Sequence, residues 1–231
     1  MHVALLAWLG LGAGLLPCAV AATFTVNSTA DALDDNPGGG VCRGNPIVAC
    51  TTDAQCAATA IGPCDLCATG DTVMSPEGLR PQCTLRAAIE EANATSAASV
   101  IDVPAGTYKF AQTSACTYSV QPQPNVFWTS TQGSLCLSSN VTIQGAGADT
   151  TIIDADQRTR VLFVSAHAVA ELRGVTIANG VGDRSFGNLH DIPSRAGGGI
   201  MNDGTLTLTE SVVRNNSVLP GSVNGGGIRN A

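Results

Sequence analysis

Charge is scarce in this sequence, and positive charge scarcest. Only 13% of the 231 residues are charged, and 11 Lys and Arg stand against 18 Asp and Glu, for a formal net charge of -7. Nucleic acid and anionic membrane are therefore excluded as partners, because neither phosphate neutralisation nor lipid attraction is available to an acidic surface. Divalent cations and neutral or basic partners remain. Aromatic residues are also few, at 4%, so any core must be built from aliphatic side chains. No Walker loop, dinucleotide fingerprint or nucleophile elbow occurs, which removes the chemistries that depend on them.

What is present begins with "MHVALLAWLGLGAGLLPCAVAA", residues 1–22. This uncharged apolar run ends in small residues and is expected to be a secretory signal cut after Ala21 or Ala22, although His2 and the amine are all there is of a positive n-region. Gly10, Gly12, Gly14 and Pro17 interrupt the run and argue against a membrane anchor, and Pro17 before Cys18 makes a poor lipoprotein cleavage site. Of nine cysteines, removal of Cys18 leaves eight, an even number that suits four disulfides in an oxidising compartment. Cys64 and Cys67 form a CxxC, but no second CxxC and no nearby histidine completes a zinc set, so disulfide bonding is favoured.

Phe24 and Val26 alternate with polar residues like a first strand, and "DDNPGGG" after them must be a turn. Residues 43–82 form an insert with Cys50, Cys56, Cys64 and Cys67 and little hydrophobic periodicity. In "CTLRAAIEEANA" Leu85, Ala88, Ile89 and Ala92 fall at i, i+3, i+4 and i+7, which predicts a helix from about Thr84 to Ala94 with Thr84 as its cap. So short a helix must dock on something apolar. From Val141 short runs around 141–143, 151–153, 161–164 and 168–177 are bounded by Gly, Asp, Asn or Ser, as in an all-β architecture.

Internal similarity selects a solenoid. "GGGIMN" at 197–202 recurs as "GGGIRN" at 225–230, a shift of 28, and "LRGVTIAN" at 172–179 aligns with "LTESVVRN" at 208–215, a shift of 36. The difference of 8 residues is a loop that a solenoid can extrude sideways. Leu206 and Leu208 are expected to point inward between Thr205, Thr207 and Thr209, with Asn179 and Asn215 stacked as one amide ladder and Asn202 and Asn230 as another.

"TFTVNSTADALDDNPGGGVC", "CTLRAAIEEANA" and "IDVPAGTY" together resemble the CSLREA domain of exported bacterial proteins, and the GGGI and V-x-x-N elements resemble the repeats of polymorphic outer membrane proteins. The resemblance covers nearly the whole mature chain and departs at Thr84, Ala87 and the long insert. It implies a right-handed parallel β-helix, the pectin lyase-like fold, with the helix at 84–94 as a lid over the bare edges of the first coil. It also implies that Cys42 pairs with Cys83, that Cys50, Cys56, Cys64 and Cys67 pair within the insert, and that Cys116 and Cys136 close the loop 111–140. The expected organisation is a signal at 1–22, a cap at 23–110 that includes the insert, the closed loop, and β-helix coils at 141–231. About three or four coils fit there, near the minimum for a stack, so a fragment of a longer protein is expected.

Asp154 and Asp156 are the nearest approach to a paired-carboxylate site for glycoside hydrolysis, with Arg158 and Arg160 as possible uronate ligands. Asp after a strand is also common turn chemistry, and that reading is favoured. Neither Asn-Thr-Asp, Gly-His-Gly nor Arg-x-Lys, elements of polygalacturonases, occurs. Asp31, Asp34 and Asp35 are candidate calcium ligands without the EF-hand spacing. His167 and His190 stand alone. Asp183, Arg184, His190, Asp191 and Arg195 share the loop 180–196, the best local candidate for a binding surface. The expected function is a secreted, cell-surface or outer-membrane scaffold of adhesin type that contacts carbohydrate or protein, with no cofactor beyond possible calcium. The alternative is a polysaccharide lyase or glycoside hydrolase with catalytic coils beyond residue 231.

Overall fold

The computed structural model describes residues 21–34, 36–39, 41–42, 72–75, 78–95, 97–111, 116–117, 129–130, 133–182, 197–218 and 225–230. Three parallel sheets form the walls of a β-helix. The first holds five strands in the order β1 (Ala22–Thr25), β4 (Ser99–Val103), β9 (Val141–Gly145), β12 (Val169–Arg173) and β15 (Thr205–Thr209). The second stacks β5 (Gly106–Lys109), β10 (Thr151–Asp154), β13 (Thr176–Ala178) and β16 (Val212–Arg214), and the third β8 (Leu135–Leu137), β11 (Leu162–Val164), β14 (Ile200–Asn202) and β17 (Ile228–Asn230). Two antiparallel pairs stand apart, β2 (Thr72–Ser75) with β3 (Gly78–Pro81) and β6 (Cys116–Thr117) with β7 (Thr129–Ser130).

Alternation along each strand sends every second side chain inward. The parallel register lays these side chains over one another: Phe24, Ile101, Ile143, Leu172 and Leu208 in the first sheet, Tyr108, Ile153, Ile177 and Val213 in the second, and Leu135, Leu162, Ile200 and Ile228 in the third. Ile101, Ile143, Leu172, Ile153, Ile177, Leu162 and Ile200 are fully buried, and each such side chain contributes roughly 1.5–3 kcal/mol. The repeat shifts are the registers themselves: Ile200 lies beside Ile228 and Leu172 beside Leu208.

The run at 168–177 is not one strand. It breaks into β12 and β13 at Gly174, whose φ of +59° and close approach to the Gly145 carbonyl, 3.1 Å from a would-be Cβ, admit no larger residue without strain. The amide ladder at Asn202 and Asn230 is present, with the Asn202 Nδ2 donating to the Asn230 Oδ1. At Asn179 the expectation fails. Both Asn179 and Asn215 occupy the left-handed region, at φ +56° and +55°, and the Asn179 amide donates to Asp154 Oδ1 at 3.0 Å instead of joining a ladder. The left-handed turn, which asparagine tolerates, is what recurs there.

Helix α1 (Leu85–Ala94) lies across β1, β4 and β8. Leu85, Ala88, Ile89 and Ala92 are buried as their spacing requires, and Thr84 caps the helix by accepting the Ala87 N–H at 3.1 Å while donating to the Ala32 carbonyl at 2.7 Å. A disulfide joins Cys42 to Cys83, immediately before the cap.

Candidate functional site

The three walls differ in what they present outward. On the third sheet the outward row is Cys136, Phe163, Met201 and Arg229, and Phe163 and Met201 are buried in a small apolar cluster of their own. On the second sheet, Asp154, Thr176 and Ala178 face outward yet are also buried. The five-stranded sheet is different. Its register aligns two outward rows: Thr23, Val100, Thr142, Glu171 and Thr207, and beside it Thr25, Asp102, Gln144, Arg173 and Thr209. All of these are exposed or half-buried.

Neighbouring members of a row lie about 4.8 Å apart, set by the hydrogen bonds between strands. The surface is therefore a flat grid of hydroxyl, amide, carboxylate and guanidinium groups, interrupted at Val100. Arg173 pairs with Glu171 at 2.7 Å, and that hydrogen bond and charge hold its guanidinium pKa above the ordinary value. The pair neutralises itself. Asp102 is the remaining ion of the two rows, so the grid suits hydrogen bonding to an uncharged or weakly basic partner better than capture of an anion.

Of the two candidate acids, Asp154 serves a turn and Asp156 pairs with surface cations. Asp154 ends β10, and its Oδ1 accepts both the Asp156 N–H at 2.8 Å and the Asn179 amide at 3.0 Å. Asp156 sits beyond the strand, in a left-handed turn with φ +52°, and not on the same strand side. Its carboxylate meets Lys109 at 3.3 Å and Arg158 at 3.5 Å, all three exposed. Arg160 is not a surface ligand, because it is 1% exposed and its Nε donates to the Gly197 carbonyl at 2.9 Å. His167 lies in a turn with φ +72°.

The calcium candidates separate in a similar way. Asp31 is occupied by a cation of the chain itself: Arg86 Nε lies 2.6 Å from its Oδ1 and Arg86 Nη2 3.2 Å from its Oδ2, which also accepts the Ala111 N–H at 2.7 Å. Asp34 Oδ1 accepts the Asn36 N–H at 3.1 Å. Asp35 lies outside the described residues, and among the described residues no group of three or more His, Cys, Asp or Glu comes together to hold a metal. Asp183, Arg184, His190, Asp191 and Arg195 lie outside the described residues, as do Cys50, Cys56, Cys64 and Cys67 and the side chain of Cys116. Cys136 is disulfide-bonded.

One polar constellation escaped the sequence reading although it sits inside the most informative motif. Arg86 is 3% exposed and reaches, besides Asp31, the carbonyls of Gly133 at 2.7 Å and Ser134 at 3.3 Å, with its guanidinium 5.3 Å from the Phe110 ring centroid. Glu90 accepts the Asp34 N–H at 2.6 Å and Glu91, fully buried, accepts the Gly38 N–H at 2.5 Å. Asn93 donates to the Cys136 carbonyl at 2.7 Å and accepts from the Ser138 N–H at 2.9 Å. Burial raises the Glu90 pKa above the usual carboxyl value, against the opposing effects of the Asp34 N–H and the Arg86 charge. These groups fasten the lid; they do not form a substrate site.

Comparison with protein-family models, with curated proteins and with solved structures finds no match to this chain. What the fold and surface define is a parallel β-helix with a helical lid at one end and one open polar wall. Among the described residues no helix is long and apolar enough to cross a membrane.

Proposed function

We propose that the chain is an exported, adhesin-like β-helix scaffold of the CSLREA type, acting at the cell surface or in the extracellular space and binding carbohydrate or protein. The observation that carries this reading is the two-row polar grid on the five-stranded sheet, which is the one wall whose outward side chains are all exposed or half-buried. A rigid register fixes the spacing of Thr25, Gln144, Arg173 and Thr209, so the cost of ordering them is met on folding and not on binding. The Cys42–Cys83 disulfide supports export, because such bonds persist in oxidising compartments. The lyase or hydrolase alternative draws no support from Asp154 and Arg160, whose polar atoms serve a turn and the coil interior, while the exposed Asp156 is paired with Lys109 and Arg158.

The test is to probe immobilised neutral glycans and extracellular matrix proteins with the chain and with the double variant Gln144→Ala, Arg173→Ala. Both positions are exposed, so the variant should fold normally. Binding that falls at least about tenfold, equivalent to 1.4 kcal/mol, supports the grid as the contact surface. Undiminished binding would move the contact elsewhere, and absence of binding across both sets would sink the adhesin reading.

A further inference from the structure

The corner that follows β13 contains Asn179–Gly180, and the fold requires both residues. Asn179 sits in the left-handed region at φ +56°, where asparagine is among the few side chains tolerated, and its Nδ2 donates to Asp154 Oδ1 at 3.0 Å. Gly180 is buried, and a Cβ on it would run into the Gly198 carbonyl and lie 2.8 Å from Val161 Cγ2. Only glycine fits there. At the matching corner of the next coil Asn215, at φ +55°, is followed by Asn216, so the pair does not recur at the stacked position.

Asparagine before glycine is a chemically labile setting, because asparagine is thermolabile and glycine puts no side chain in the path of its own nitrogen. The Gly180 nitrogen attacks Asn179 Cγ, forming an N–C bond while the Cγ–Nδ2 bond breaks, and the displaced nitrogen leaves as ammonia with the proton of the Gly180 amide. Water then opens the resulting succinimide at either carbonyl. Aspartate or isoaspartate is left at position 179.

The standing coil holds the reacting groups apart. The Gly180 N–H donates to Asn216 Oδ1 at 2.7 Å, which directs the attacking nitrogen to the next coil. Asn179 Nδ2 is held by Asp154, and the backbone is pinned on both sides of the bond: the Asn179 carbonyl accepts the Gln157 N–H at 2.8 Å and the Gly180 carbonyl the Ser217 N–H at 2.8 Å. Ring closure needs these contacts to give way together. The reaction therefore belongs to the opened chain.

We propose that Asn179–Gly180 is a fold-gated deamidation site, silent while the coils are stacked and, once it has reacted in an opened chain, a bar to closing the same corner again. Deamidation exchanges the donor Nδ2 for an oxygen, so two carboxylates face each other where the structure has a 3.0 Å hydrogen bond, and Asp154 is only 6% exposed. Like charges so close and so poorly solvated repel. Isoaspartate also lengthens the main chain between β13 and the contacts of Gly180. A chain that stays open too long is thereby retired, and this inference stands apart from the proposed ligand-binding role.

The test holds the full chain near neutral pH with and without denaturing urea and maps the peptide containing residue 179 by mass spectrometry, with isoaspartyl methyltransferase labelling for the isomerised product. Conversion at 179 should be at least about tenfold slower in the native chain than in urea. Asn216→Ala, which takes away the acceptor of the Gly180 N–H, should speed conversion in the native chain and leave the rate in urea unchanged. The bar to closure is read separately, by urea unfolding of Asn179→Asp and of the double variant Asp154→Asn, Asn179→Asp, which exchanges donor and acceptor. The single variant should unfold at lower urea than the parent or fail to fold, and the double variant should recover most of the loss. Equal conversion in native and unfolded chains, native conversion indifferent to Asn216→Ala, an Asn179→Asp chain as stable as the parent, or a double variant no better than the single one would overturn the proposal.

Discussion

The first and the last described coils carry the same aliphatic rows with different burial. In the first, Phe24 is 7% exposed and Val26 fully buried, because α1 and the segment 31–34 close over it. In the last, Ile228, in line with the buried Leu135, Leu162 and Ile200, is 40% exposed. The coils between them need little beyond aliphatic stacking and strand hydrogen bonds. Ending the stack is a different problem, since a lid must be held on a surface that would accept any strand. The chain solves it with charge: Arg86 and Glu91, both buried, lie in the lid helix, and each is satisfied by the segment it holds.

The strongest way to break this contrast is Arg86→Ala. It leaves Asp31, whose side chain is 6% exposed, without its guanidinium, and frees the carbonyls of Gly133 and Ser134. Removing one partner of a buried pair costs about 3–5 kcal/mol. Urea unfolding should show a loss in that range, with Arg86→Lys recovering only part of it, because a point charge cannot reproduce the forked contacts. A loss below about 1 kcal/mol would mean that apolar contacts alone hold the lid.

A second pair of variants measures the contrast along one row of side chains. Ile143 and Leu208 occupy the same inward row, the first fully buried in mid-stack and the second only partly buried in the last described strand of the sheet. Ile143→Ala should cost about 2–5 kcal/mol, as a full cavity does. Leu208→Ala should cost roughly half as much or less, in proportion to its smaller burial, when both are measured by urea unfolding. Equal costs would show that β15 is as well packed as the strands between.

Much of this architecture is legible in the sequence. The repeat shifts were readable because stacked coils impose the same inward residues at the same place, and a loop changes the shift without touching the register, as Ile200 with Ile228 and Leu172 with Leu208 show. The helix was legible from its apolar face. Its fastening was not, because hydrophobic periodicity assigns charged residues to solvent, and the burial of Arg86 and Glu91 depends on partners at Asp31, Gly38 and Gly133 that only the fold brings near. The polar grid was half legible: alternation in Thr205–Thr209 announces an outward row, but that this wall is open while Phe163 and Met201 are covered on another follows from tertiary burial. Asp154 illustrates the opposite limit, where a carboxylate that the spacing offers to catalysis is taken up by a turn.

The smallest effect concerns pH and separates the two carboxylates of the lid. Desolvation raises the Glu90 pKa, helped by the nearby Asp31 charge and opposed by the Asp34 N–H and Arg86. A carboxyl whose folded pKa exceeds its unfolded value binds its proton more readily when folded, so its contribution to stability is complete below the unfolded value of about 4.5 and is lost as pH rises through the folded value. Glu90 is the lid carboxyl that accepts the Asp34 N–H at 2.6 Å, so its proton bears directly on that contact. Glu90→Gln keeps an oxygen for that amide and removes the titration. Wild type should therefore lose stability relative to Glu90→Gln as pH rises from 4 toward 7 in paired urea titrations, and a difference that stays flat or grows in favour of wild type would show that the hydrogen bond to Asp34 outweighs burial. Glu91, the fully buried neighbour gripping Gly38, tests the fastening itself: Glu91→Ala should destabilise in urea unfolding by about 1–3 kcal/mol, because the buried Gly38 N–H contact loses its acceptor.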